Sequence, residues 1–217
     1  MKTRFFKHLD SIKSEQLYLA CIYMTETPDF LTHPASLSHH HAYEGGLLAH
    51  TVEVCDIALR AYHGMKAELA SDPTHYVGEW QWIDLPPADI LIAAALWHDF
   101  CKVREYRFFW DWPANTVGQK ILRIPGTDEQ GLQKFWKHTD YGNRIHHIQG
   151  SAIEFTVAAR KHGVAEDVIK QIQHCILAHH GRKEWGSPVE PQTLEALILH
   201  QADMLSAQYG ATKEVAP

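Results

Sequence analysis

An all-α bundle is the fold class that the sequence predicts, and three observations carry the prediction. Apolar residues recur at helical spacing in segment after segment. Pro28, Pro34 and Pro87 fall at the edges of those segments, where a fixed φ and a missing N–H do least harm. The 217 residues, 45% apolar and 21% charged, suffice for one hydrophobic core, so a single domain over 1–217 is expected.

Taken in order, residues 3–24 read as one helix with Phe5, Leu9, Ile12, Leu17, Leu19 and Ile22 along a face. A connection follows to Ser38, so that 1–38 is an N-terminal helix plus linker. Glu44-Gly45-Gly46 opens a helix from Leu47 to Tyr62, and 64–86, with Trp80 and Trp82, reads as an insertion or lid. Pro87-Ala88-Asp89 starts the next helix, proline in the first turn and an acid near the positive end, running to Lys102. A second insertion spans 104–145, rich in aromatic residues, with a short hairpin placed near Thr116–Ile124. Helical periodicity resumes at 148–162, 166–178 and 193–208.

Composition excludes several function classes. No run reaches the ~18 apolar residues of a membrane span, and no apolar stretch follows the basic N-terminus as in a signal peptide. The four cysteines are widely spaced, without Cys-x-x-Cys, and read as buried thiols of a reducing cytoplasm. A formal charge of -6 with no Lys/Arg cluster speaks against an extended nucleic-acid footprint. Histidine is the outlier: 17 residues against 20 Lys and Arg together. It is the commonest metal ligand.

The segment Leu91–Lys102 concentrates the signal, because an apolar run ends in His98-Asp99. A buried carboxylate is costly unless compensated, and a divalent cation compensates it. Further candidate ligands are His50, His147, His179-His180 and Asp203, each on a separate helix. Each also has a plain structural reading: His50 as a hydrogen-bonded core residue, His147 as a helix-start residue, His179 and His180 as partners of C-terminal carbonyls. Asp203, inside an apolar helix, has the weakest such reading. A helical bundle can converge all of them in its core.

The order His50, His98-Asp99, His147, His179-His180, Asp203 resembles the HD-domain superfamily of metal-dependent phosphohydrolases. Within it, His40-His41-Ala42-Tyr43-Glu44-Gly45-Gly46, Trp97-His98-Asp99-Phe100-Cys101-Lys102 and Leu199-His200-Gln201-Ala202-Asp203 resemble the HD domain of YhaM-type 3′-5′ exoribonucleases. The resemblance implies an HD helical bundle with irregular insertions. One metal would be held by His50, His98, Asp99 and Asp203; a second by His147, one or both of His179 and His180, and Asp99 as bridge. Such a mixed donor set suits Mn, Fe, Co, Ni or Zn better than Mg.

The implied activity is cleavage of a phosphoester or phosphodiester, in a nucleotide or at the 3′ end of a short oligonucleotide, by metal-activated hydroxide. Asp99 and Lys102 would be catalytic, with Lys102, Arg104 and Arg182 contacting substrate phosphate. His200, three residues before Asp203, would sit behind the ligands and orient them. A homo-oligomer is compatible with this pattern. An HD-fold di-iron oxygenase and a non-catalytic nucleotide-binding module remain the alternatives.

Overall fold

Asp89 decides how the N-terminal segment folds. In the computed structural model of the protein, which describes residues 1–71 and 87–214, the buried Asp89 carboxylate accepts the backbone N–H groups of Lys13 and Ser14 at 2.8 and 2.9 Å. The helix expected over 3–24 is therefore two helices, α1 (Lys2–Leu9) and α2 (Glu15–Ile22). Ser14 Oγ caps α2 by accepting the Leu17 N–H. Two 3-10 turns, Tyr23–Glu26 and Pro28–Leu31, lead into an irregular stretch up to the next helix.

That helix, α3 (Gly46–Ser71), is longer than its periodicity suggested and spans about 39 Å at 1.5 Å per residue. It takes in residues 64–71 of the expected insertion; the remainder, 72–86 with Trp80 and Trp82, lies outside the described residues. Gly46 starts α3 where its chain passes the His41 carbonyl, and a Cβ there would lie 2.0 Å from that oxygen. The loop is thus locked onto the helix start.

The central element is α4 (Pro87–Trp97), and its residues from Ile90 onward are all buried. A helix apolar all round must be enclosed, and α4 packs against α2, α3, α7, α8 and α9. It does not run to Lys102 as expected. Its last backbone bond is His98 N–H to Ala94, after which His98–Cys101 form a turn and α5 (Lys102–Glu105) a further helical turn. Cys101 N–H is taken by Ser151 Oγ at 3.0 Å, so the chain leaves the helix axis without losing its partners.

The aromatic insertion is a three-stranded antiparallel sheet, β1 (Tyr106–Asp111), β2 (Leu122–Arg123) and β3 (Gln133–His138), in the order β1-β3-β2. The short hairpin expected within 104–145 is present, formed by β2 and β3 rather than by Thr116–Ile124 alone. That stretch contains the end of a 3-10 turn (Pro113–Thr116) and β2, which pairs with β3 through Leu122↔Trp136 and Arg123↔Phe135. β1 pairs with β3 from Tyr106↔His138 to Asp111↔Gln133.

Four further helices close the bundle: α6 (Asp140–Arg144), α7 (His147–Lys161), α8 (Glu166–Ala178) and α9 (Leu194–Glu214). Trp97 anchors the core, edge-on to Phe100 and Phe155 at 4.7 and 5.8 Å. All four cysteines are free and buried. Helix is the dominant structure, as expected, and no described helix is long and apolar enough to cross a membrane.

Candidate metal centre

Five elements deliver polar side chains to one point in this apolar core. His50 comes from the second turn of α3, His98 and Asp99 from the turn after α4, and His147 from the first residue of α7. His179 follows α8 directly, and Asp203 lies within α9. His50, His98 and His179 are fully buried and Asp99 is 2% exposed.

The Asp99 carboxylate divides the centre. Its Oδ2 lies 3.4 Å from Nε2 of both His50 and His98, and His50 Nε2 is also 3.0 Å from Asp203 Oδ1. Its Oδ1 faces the other way, 3.2 Å from His147 Nε2 and 3.6 Å from His179 Nε2. His50, His98 and Asp203 form one group with ligand atoms within 4.8 Å of one another, and His147, His179 and His180 form another.

Each imidazole is held by its far nitrogen. His98 Nδ1 donates to the Ala95 carbonyl at 2.8 Å and His179 Nδ1 to that of Ile176 at 2.6 Å. His180 Nδ1 donates to the Trp185 carbonyl at 2.9 Å. His147 Nδ1 donates to Glu105 Oε2, and His50 Nδ1 to Ser206 Oγ, whose own O–H reaches Glu53. With Nδ1 committed as a donor, Nε2 of His147 and His179 carries the free lone pair and faces the centre. His50 Nε2 instead meets the Asp203 carboxylate, which with Asp99 raises the His50 pKa against its burial.

Asp99 Oδ1, His147 Nε2 and His179 Nε2 are buried and have no hydrogen-bond partner. Orphaned polar atoms of this kind are rare and expensive, and here they converge. A divalent cation fits them: mixed carboxylate and imidazole donors are the ligands of transition metals.

Electrostatics agree with that donor role. Burial raises the Asp99 carboxyl, but Lys102, His98 and His147 outweigh it and hold the group well below its usual range. Burial pushes His147 down to about 4 and His179 well below its usual value, so both imidazoles are neutral near pH 7. Asp203, although burial opposes it, is likewise held ionised, chiefly by His50.

Lys102 is 5% exposed and its ammonium lies 2.6 Å from Asp99 Oδ2. Burial alone would lower its pKa; Asp99 reverses this and raises it, so Lys102 is a fixed positive charge.

The other two residues expected to contact phosphate sit differently. The half-exposed Arg104 pairs with Glu154 at 2.8 Å, and Arg182 stacks over Trp185 at 5.1 Å. His200, expected to orient Asp203, instead donates from Nδ1 to the carbonyl of the candidate ligand His179 at 2.8 Å.

Glu105 and Ser206 were missed. Both carried a sequence signal: Ser206 is one turn beyond Asp203, and Glu105 is one turn beyond Lys102. His40 and His41 also close on His50, with ring centroids 4.6 and 5.3 Å away, and His41 Nε2 meets Glu53 at 3.1 Å.

Comparison with known proteins gives the same boundaries. The family model for the HD domain matches residues 47–208, from the start of α3 to within α9. The chain is similar to the 3′-5′ exoribonuclease YhaM of Bacillus pumilus, 29% identical over 183 residues, and of Bacillus subtilis, 28% over 183. Both alignments cover 83% of this chain and 44% of the relative. The corresponding protein of Listeria monocytogenes is 28% identical over 190 residues, 86% of this chain and 46% of its own. The chain therefore spans less than half the length of these relatives. No solved structure gives a significant match. The family match starts and ends on the two helices, α3 and α9, that supply His50 and Asp203, and the chain belongs to the HD domain family.

Proposed function

We propose that this chain is a metal-dependent phosphohydrolase, folded as one domain, that cleaves a phosphodiester in a nucleotide or at the 3′ end of a short oligonucleotide. One observation carries the reading: Asp99 presents one oxygen to each of two groups of imidazoles, and its Oδ1 faces two buried, unpartnered nitrogens. His50, His98, Asp99 and Asp203 would hold one ion; His147, His179 and His180, with Asp99, a second. The donor set favours Mn, Fe, Co, Ni or Zn over Mg. When bound, such ions acidify water and neutralise charge on a phosphoryl group.

The chain's own residues supply the rest. Lys102, charged and pinned by Asp99, meets a non-bridging phosphate oxygen and draws the phosphorus toward the centre. Glu105 keeps the His147 ring from rotating, and Ser206 does the same for His50. The relatives named as 3′-5′ exoribonucleases support an RNA-like substrate. The buried free thiols support a reducing compartment, the cytoplasm.

Elemental analysis of natively purified protein tests this directly, together with hydrolysis of bis(p-nitrophenyl) phosphate, cyclic nucleotides and short RNA in added Mn. The expected result is one or two transition-metal ions per chain and hydrolysis that Asp99→Ala abolishes along with metal retention. Protein that neither holds metal nor turns over any of these substrates in Mn overturns the proposal. Oxygen uptake without hydrolysis would assign the centre to oxygen chemistry instead.

A further inference from the structure

The sheet carries aromatic rings that its own packing does not use. Tyr106, Phe108 and Trp110 alternate along β1 and so share one face, opposite His138, Trp136 and Lys134 of β3. Contacts fix that face: Tyr106 lies edge-on to His138 at 5.0 Å and Phe108 edge-on to Trp136 at 5.5 Å. Trp136 is buried under His33, with ring centroids 4.5 Å apart, and forms the floor. Phe108 and Trp110 remain 50% and 49% exposed, although large apolar side chains are normally covered.

This face begins at the metal centre. His138 Nδ1 is 3.7 Å from Glu105 Oε1, and Glu105 Oε2 holds His147. From Tyr106, buried beside the centre, the strand carries Phe108 about 7 Å and Trp110 about 14 Å outward. Lys134 Nζ lies 4.7 Å from the Phe108 ring centre and pairs with Glu44 Oε1 at 2.7 Å, a contact that a phosphate would have to replace.

Lys134 is the strand cation on this face; Arg107, Arg123 and Lys137 lie on the opposite face, where Arg123 and Lys137 cover Phe135 and Phe109. Two half-exposed rings two residues apart on one strand face, with a lysine between the strands, suit a single-stranded nucleic acid: rings stack bases and the ammonium meets a phosphate.

We propose that Phe108 and Trp110 form a stacking platform for the nucleotides lying 5′ to the bond cleaved at the metal centre, with Lys134 meeting the intervening phosphate. The occupant is a single-stranded oligonucleotide of a few nucleotides. The small sheet thereby confers a preference for short chains over mononucleotides without a long basic groove. This rests on the phosphodiesterase reading for its direction, though not for its detection.

The test is fluorescence anisotropy with metal-loaded protein, using hexa-adenylate labelled at its 5′ end and protected by a phosphorothioate at its 3′-terminal linkage. AMP serves as competitor. Hexa-adenylate is expected to bind at least tenfold more tightly than AMP. Each ring removed, Phe108→Ala or Trp110→Ala, weakens hexa-adenylate by about tenfold. AMP affinity, thermal midpoint and metal content stay unchanged. Should Phe108→Ala perturb folding through Trp136, Trp110→Ala alone carries the measurement, with Lys134→Ala expected to reduce the salt dependence of binding.

Equal affinity for hexa-adenylate and AMP, or hexa-adenylate binding unchanged by Trp110→Ala, overturns the platform. The two proposals fail separately. Ring-dependent binding without hydrolysis of any phosphoester removes the enzyme and keeps the platform; hydrolysis without ring-dependent binding does the reverse.

Discussion

Glu105 Oε2 accepts two hydrogen bonds from the same residue, the backbone N–H of His147 at 3.1 Å and its ring Nδ1–H at 2.5 Å. One buried carboxylate therefore satisfies an orphan amide at the start of α7 and sets the rotation of a candidate ligand. Glu105→Gln is expected to lower activity on bis(p-nitrophenyl) phosphate 10- to 100-fold, as is usual when a partner behind a metal ligand is lost. Metal content should fall toward one ion per chain, because the His50 group is left intact. Retention of two ions with normal turnover would show that Glu105 only caps the helix.

Ser206 plays the matching part for His50, passing the ring's Nδ1–H on to Glu53 through its own hydroxyl. Ser206→Ala leaves a buried donor unmet, which costs about 1–3 kcal/mol. The expected signature is weaker retention of the ion held with Asp203, read by titration with a chelator, while Ser206→Thr preserves it.

Gly181 ends the His179-His180 turn at φ +82, and a Cβ there would lie 2.2 Å from His200 Cε1. Gly181→Ala is thus expected to destabilise the protein by at least ~1 kcal/mol from backbone strain alone. It should also displace the His200 ring that holds the His179 carbonyl. Urea unfolding of Gly181→Ala and of Gly181→Ala with His200→Ala separates the two effects: the second substitution relieves the clash and leaves the strain.

His33, outside the metal centre, gives a pH dependence whose sign is fixed by its surroundings. Burial lowers its pKa from 6.5, although the carbonyls of Asp29 and Tyr106 partly oppose this. The unfolded chain therefore binds the proton more readily, so the contribution of His33 to stability is present above the unfolded pKa. It is lost as pH falls from about 6.5 toward the lower folded value. Urea midpoints compared between wild type and His33→Gln should converge as pH drops through that window. A difference that stays constant from pH 7 to 5 would mean that His33 does not titrate differently in the two states.

Legibility in the sequence followed the range of the interactions. α8 was legible to the residue because an amphipathic pattern over 166–178 is a local property, and α4 because an uninterrupted apolar run can only be enclosed. The break between α1 and α2 is not legible, since the carboxylate that takes the Lys13 and Ser14 amides stands 76 and 75 residues away. The sheet is legible only as a short hairpin within an insertion, because its alternation is blurred. Phe108 and Phe109 are adjacent but face opposite sides, and β1 finds its partner across the β2 segment rather than in a local hairpin. At the centre, imidazoles and aspartates stood out by residue type. Glu105 and Ser206 did not, because ordinary residues become structural partners only once the turn after α4 and the last helix are in place.

The span between His50 and Ser206 has a consequence for synthesis. Their hydrogen bond joins residues 156 positions apart, and Asp203 lies on the same late helix. A nascent chain therefore emerges with His50, His98 and Asp99 long before the group that faces Asp99 Oδ2 can be completed. α9 is the latch: until it emerges and packs against α3, the group of His50, His98 and Asp203 has an open side and the proposed metal site is incomplete.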